Sequence, residues 1–209
     1  VKISVILFEG FELLDVFGPV ELLSFVEGWE IEYLALVPGP VRSSQSARVV
    51  AEKSLAEVEE TDMLLVPGGR GTRGLVEDDA FLTRLRQLGE NARWVASVCT
   101  GSALLAAAGL LEGHRATSNK RAFNWATSFG SDVTWLSRAR WVHSGNRWTS
   151  SGISAGIDMA AAFIRHLRGE GEAERICQIA EITVRTDSLD DPFAVDTRAS
   201  SPASAMSSS

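Results

Sequence analysis

The stretch VASVCTGSALLAAAGLLEG, residues 95–113, passes from a β-type apolar run through one cysteine and a Thr-Gly pair into an alanine-rich segment of helical character. A strand that hands over directly to a helix is the repeating unit of α/β sheets. The same kind of join recurs on both sides of this stretch. KISVILF (2–8) is a compact apolar run rich in β-branched residues and reads as a buried strand. Asp15 then stands just before VFGPVELLSFV, whose apolar spacing suits a helix with Asp15 near its N-cap. DMLLV (62–66) is another buried strand and runs into the glycine-rich turn PGGRGT.

The remaining segments fill in the alternation. WEIEYLALV (29–37) reads as a second strand, and residues 39–58 as a turn, a short hairpin and a connecting segment. DDAFLTRLRQLGENA (78–92) has helical periodicity with acids at its start, as the helix dipole favours. RWVASV (93–98) is the next strand, TGSALLAAAGLL (100–111) a helix, RATS (115–118) a short strand and NKRAFNWATSFG (119–130) a helix stopped by Gly130. RWVHSGNRWTSSG (140–152) is a hairpin with a Gly-Asn turn, and two more helices follow at 154–167 and 172–183. The order predicts an α/β fold with a doubly wound parallel sheet sandwiched by helices, and a small hairpin near the site. Residues 1–198 are expected to form one domain, and 199–209 a low-complexity Ser-rich tail.

Composition bounds the function classes. Hydrophobic residues make up 45% and charged residues 22% of 209, an ordinary globular balance with enough apolar material for a sizeable core. A net charge of -7 and a pI near 5.1 argue against a protein that tracks phosphate, so no nucleic-acid partner is expected. No apolar run approaches a membrane span and no secretory leader is recognisable, so a cytoplasmic protein without a membrane partner is expected. Cys99 and Cys177 are too few for a disulfide framework and read as reduced thiols.

In doubly wound sheets, sites lie beyond the carboxyl ends of the strands. Asp15, Gly68-Gly69 and Cys99 all follow strands in that way. A helix N-terminus lowers a thiol pKa, so Cys99 is a candidate nucleophile; a small core residue at the end of an apolar strand is the alternative. Developing negative charge needs donors, and the Thr100 N–H and an unobstructed Gly69 N–H are the candidates. Asp15 is the candidate acid/base, with helix capping as its bland role; Glu12 and Glu21 lie nearby. A carboxyl group against a thiol would titrate as a pair. His114, His143 and His166 read as structural, and no paired His or Cys spacing suggests a metal.

These motifs together resemble the ThiJ/PfpI superfamily. The match runs from ILFEGFELLDVFGPVELL (6–23) through LLVPGGRGT (64–72) and ASVCTGSALLAAAGLLEGHRAT (96–117) to SGISAGIDMA (151–160). The resemblance implies a flavodoxin-like sandwich, a homodimer, and a reactive cysteine at the elbow after a strand. Gly68, Gly69 and Thr100 then match an oxyanion and substrate-binding pocket. LLDVFGP followed by CTG is most similar to the isocyanide hydratases and to the amidase-like (type 1 glutamine amidotransferase-like) domains of certain transcription regulators. By that resemblance Cys99 attacks an isocyanide carbon, Asp15 moves protons and Thr100 assists, without a cofactor or metal, on a small-molecule substrate. A sensor built on the reactive Cys99, a glyoxalase- or amidase-like relative, and a fold that has lost its activity are the alternatives. Thr100 stands where the family's proteases place His. Asn119 stands where many relatives carry another His; it either orients a partner or caps the helix that follows, and the cap is the expectation.

Overall fold

The structure is a computed structural model and describes residues 1–194; the expected Ser-rich tail lies outside the described residues. In chain order the elements are β1 (Lys2–Ile6), α1 (Leu13–Ser24), β2 (Glu30–Ala35), β3 (Gly39–Arg42), β4 (Arg48–Ala51), β5 (Lys53–Ser54) and β6 (Met63–Val66). Then come α2 (Thr72–Leu75), α3 (Asp79–Asn91), β7 (Trp94–Ser97), α4 (Gly101–Ala107), β8 (Arg115–Ala116), α5 (Phe123–Ala126) and β9 (Thr134–Trp135). The last are β10 (Trp141–Ser144), β11 (Arg147–Ser150), α6 (Ala155–Arg168) and α7 (Glu170–Ile179).

A seven-stranded sheet in the order β10-β11-β7-β6-β1-β2-β5 forms the centre. All its pairings are parallel except β10 with β11. Helices cover its faces, as the flavodoxin-like expectation requires. That cover explains the unbroken apolar runs: MLLV of β6 and WVAS of β7 are buried at every position. The chain moves outward from β1 to β2 and then returns to β1's other side with β6. The strand order therefore reverses between β1 and β6, and loops at that switch point leave a crevice beyond the strand ends. Val66 pairs with Ser97, so β6 and β7 end level and deliver Gly68 and Cys99 to the same crevice. The separate β3–β4 hairpin leans on that edge: Ser44 N–H donates to Phe11 O at 2.7 Å.

Four expected helices differ, and the last of them, expected over 172–183, runs over Glu170–Ile179 as α7. α1 begins two residues before Asp15, with Glu12 at its N-cap, so Asp15 lies within the first turn and caps nothing there. α4 stops at Ala107, short of the alanine-rich pattern. The helix expected over 119–130 shrinks to Phe123–Ala126, because Asn119 and Lys120 spend their side chains on distant partners rather than on a helical turn. Among the described residues, no helix is long and apolar enough to cross a membrane.

Candidate active site

Cys99 has φ 58, the left-handed region that non-glycine residues enter at a cost of about 1–3 kcal/mol. The neighbourhood holds it there. Its N–H donates to Ser151 O at 3.1 Å, and its carbonyl accepts from Ser102 Oγ and Ser118 Oγ, each at 3.1 Å. The result is a sharp elbow that sets the thiol among Asp15, Thr100 and Asn119. Cys99 is only 6% exposed.

Asp15 comes to the elbow from β1's side. The segment before α1 is tied to the β6 loop by Glu12 N–H donating to Gly68 O at 2.8 Å and by a Phe11–Gly69 bridge. Asp15 Oδ2 then accepts from Gly68 N–H at 2.9 Å, while Oδ1 is buried without a hydrogen-bond partner. A Cβ on Gly68 would lie 2.6 Å from Thr100 N and Oγ1 and 2.9 Å from Asp15 Oδ2. Only glycine lets the three strand ends approach this closely.

Burial dominates the electrostatics of the pair. It pushes the Asp15 carboxyl up to about 8, with the Gly68 N–H pulling the other way, the Glu12 charge adding to the rise and the Cys99 thiol lowering it. Burial also pushes the Cys99 thiol far up, and the Asp15 charge reinforces it; Thr100 and Asn119 donors only partly offset this. The low thiol pKa expected from a helix N-terminus is therefore not what the site shows. At neutral pH the pair holds both protons, and its titration belongs to the two groups jointly.

Thr100 presents both of its donors to the sulfur. Its hydroxyl oxygen accepts from Gly69 N–H at 3.1 Å, which leaves the hydroxyl hydrogen for the thiol. Gly69 N–H is thus engaged with Thr100 rather than standing free. Thr72 Oγ1 braces the loop by donating to Gly69 O at 2.8 Å.

Asn119 fills both of the roles that the sequence left open for it. Its Nδ2 donates to Cys99 Sγ at 3.1 Å, and its Oδ1 accepts from Ala122 N–H at 3.1 Å, so it both caps the turn and touches the thiol. A Cβ on Gly152 would sit 2.0 Å from Asn119 Nδ2, so Gly152 is what admits the amide. The resemblance marked this position through its missing His; the residue type pointed to capping instead. Arg73 was missed: it stacks 3.3 Å from the Trp125 ring centroid and is near enough to Cys99 to be felt by its charge. Glu12 pairs with Gln45, and Glu21 is exposed on α1. His143 stacks on Trp148 beside His166, and His114 meets Ser144. Among the described residues, no group of three or more His, Cys, Asp or Glu side chains could hold a metal ion.

Comparison with known proteins places the chain in a family. Residues 1–166 match the model of the DJ-1/PfpI family. The chain is 33% identical to the isonitrile hydratase of Pseudomonas putida over 175 residues, covering 84% of this chain and 75% of that protein. It is 28% identical to a deglycase of Thermococcus kodakarensis over 152 residues, covering 72% of this chain and 89% of that one. A crystal structure of a ThiJ/PfpI family protein from Pseudomonas syringae superposes with TM-score 0.82 at 29% identity, covering 88% of this chain and 76% of that chain. With the elbow cysteine, the switch-point crevice and a family match over most of its length, this chain belongs to the DJ-1/PfpI family.

Proposed function

We propose that the protein is a cofactor-independent hydratase that converts isocyanides to N-substituted formamides, with Cys99 as nucleophile and Asp15 as proton carrier. The observation that carries this reading is the buried Asp15 carboxyl, with an unpartnered Oδ1, held against a thiol at a strained elbow. Similarity to an isonitrile hydratase supports it. An isocyanide carbon is both electrophile and proton acceptor. Asp15, protonated at neutral pH, gives its proton to that carbon and takes the S–H proton in return, as sulfur forms the C–S bond. The product of this step is a thioimidate, R–N=CH–S–Cys99. Water then adds to the same carbon and nitrogen takes a proton. The C–S bond breaks, sulfur recovers its proton, and R–NH–CHO leaves. Thr100 and Asn119 donors support the negative charge that passes through sulfur. Asn119 does not titrate in this range, so the proton traffic falls to Asp15.

The test is turnover of methyl isocyanide, with the formamide product followed by NMR. Cys99→Ala should abolish it, and Asp15→Asn should slow it by about 10²–10⁴-fold, the usual worth of a positioned acid/base. Full activity in the Cys99→Ala variant, or no formamide from the unaltered protein, overturns the reading.

A further inference from the structure

A cavity of about 520 Å³ lies on the far side of the Asn119 amide from the thiol, and its walls include Leu14, Asn119, Gly152, Ile153 and Phe193. Two of these flank the reacting pair through the chain: Leu14 precedes Asp15, and Asn119 donates to Cys99 Sγ. Three walls are large apolar side chains left unusually open, Leu14 at 43%, Ile153 at 38% and Phe193 at 65% exposure. Apolar side chains gathered around one concavity mark a binding surface rather than a core.

Phe193 reaches the cavity from a segment that has no regular secondary structure of its own, so something must fix it. Arg185 N–H donates to Asp158 Oδ1 at 2.8 Å, and Ser188 O accepts from Arg140 N–H at 2.7 Å. The third tie is Asp191. Its side chain is fully buried, with Oδ1 3.6 Å from Arg140 Nη1 and accepting from Phe193 N–H at 3.1 Å, and Oδ2 3.8 Å from Lys120 Nζ. Arg140 is itself held by Asp158 at 2.8 Å, and Lys120 by Ala139 O at 2.7 Å and Thr117 Oγ1 at 2.8 Å. Lys120 is the chain neighbour of Asn119. One buried charge cluster therefore fixes both the Phe193 wall and the loop that aims an amide at the sulfur.

We propose that this cavity is the subsite for the substrate's nitrogen substituent, that it takes an uncharged alkyl or aryl group, and that Phe193 is its selecting wall with Asp191 as the residue that positions it. The identity of the substituent rests on the hydratase reading above; the wall itself does not. With isocyanides, the measurement is the ratio of kcat/KM for benzyl isocyanide to that for methyl isocyanide. Phe193→Ala, which removes a largely exposed side chain, should lower that ratio about tenfold, in line with the loss of one buried aromatic contact. Asp191→Asn should lower it similarly, and the double variant should lower it no further, because both changes act through one wall. A role for Asp191 in folding alone would leave the ratio unmoved. If the unaltered protein hydrates no isocyanide, the same wall is read by alkylation. The rate of Cys99 labelling by N-benzyl iodoacetamide, relative to iodoacetamide, should fall in Phe193→Ala when followed on the Cys99 peptide by mass spectrometry. A ratio unchanged by Phe193→Ala overturns the proposal in either assay.

Discussion

Asp15 and Cys99 face each other in a place where neither charge is welcome, and this shapes how the thiol reacts. The pair loses its first proton near the Asp15 value of about 8, chiefly from the carboxyl. Above that pH, a fixed minority of molecules carries the proton on Asp15 and the charge on sulfur. Alkylation of Cys99 should therefore rise through about pH 8 and level off. In Asp15→Asn no group remains to share the proton, and burial still holds the thiol far up. Its alkylation should keep climbing about tenfold per pH unit beyond 8 without levelling, as expected for a lone thiol below its pKa. Identical profiles would show that the two groups are not coupled. The residue pair was legible in the sequence because Asp15, Gly68-Gly69 and Cys99 each end a strand-to-helix join. Its electrostatics were not: a helix N-terminus is a local feature, whereas burial depends on every element packed around the elbow.

At the scale of elements, the apolar runs 2–8, 62–66 and 93–98 became β1, β6 and β7, and the acidic start at Asp78 became a true cap, with Asp78 Oδ1 accepting from Phe81 N–H at 3.0 Å. Periodicity reads such strands well because both faces are buried. It failed over 119–130, where the chain is held by contacts to Cys99, Thr117 and Ala139 rather than by its own helix. The loop between β11 and α6 completes that arrangement. Gly152 packs so tightly on Asn119 that an added methyl must push the amide off the sulfur. Gly152→Ala should thus copy Asn119→Ala. Each should slow Cys99-dependent turnover about tenfold, the worth of one hydrogen bond to a charged group, and the double variant should be no slower. Additive losses would mean that Gly152 serves some other purpose than admitting Asn119.

For the whole molecule, the crevice is the meeting point of β1, β6 and β7, and burying Asp15 there works against the fold. The carboxyl's ordinary value is 3.8, and burial raises it to about 8 in the native state. Between these limits the folded protein keeps a proton that the unfolded chain has released. The corresponding stability is intact below about pH 4 and is lost as pH rises through about 8, at up to ~1.4 kcal/mol per pH unit. Asp15→Asn keeps an oxygen for Gly68 N–H and has nothing to titrate. It should unfold at a higher temperature than the unaltered protein at pH 8, by ~2 kcal/mol or more, and the gap should close toward pH 4. Thermal melts across that range check this, and a variant less stable at every pH would mean that the carboxyl is a structural asset. The same substitution that slows turnover should therefore strengthen the fold. That opposition separates a carboxyl kept for chemistry from one kept for capping, which would lose stability when altered.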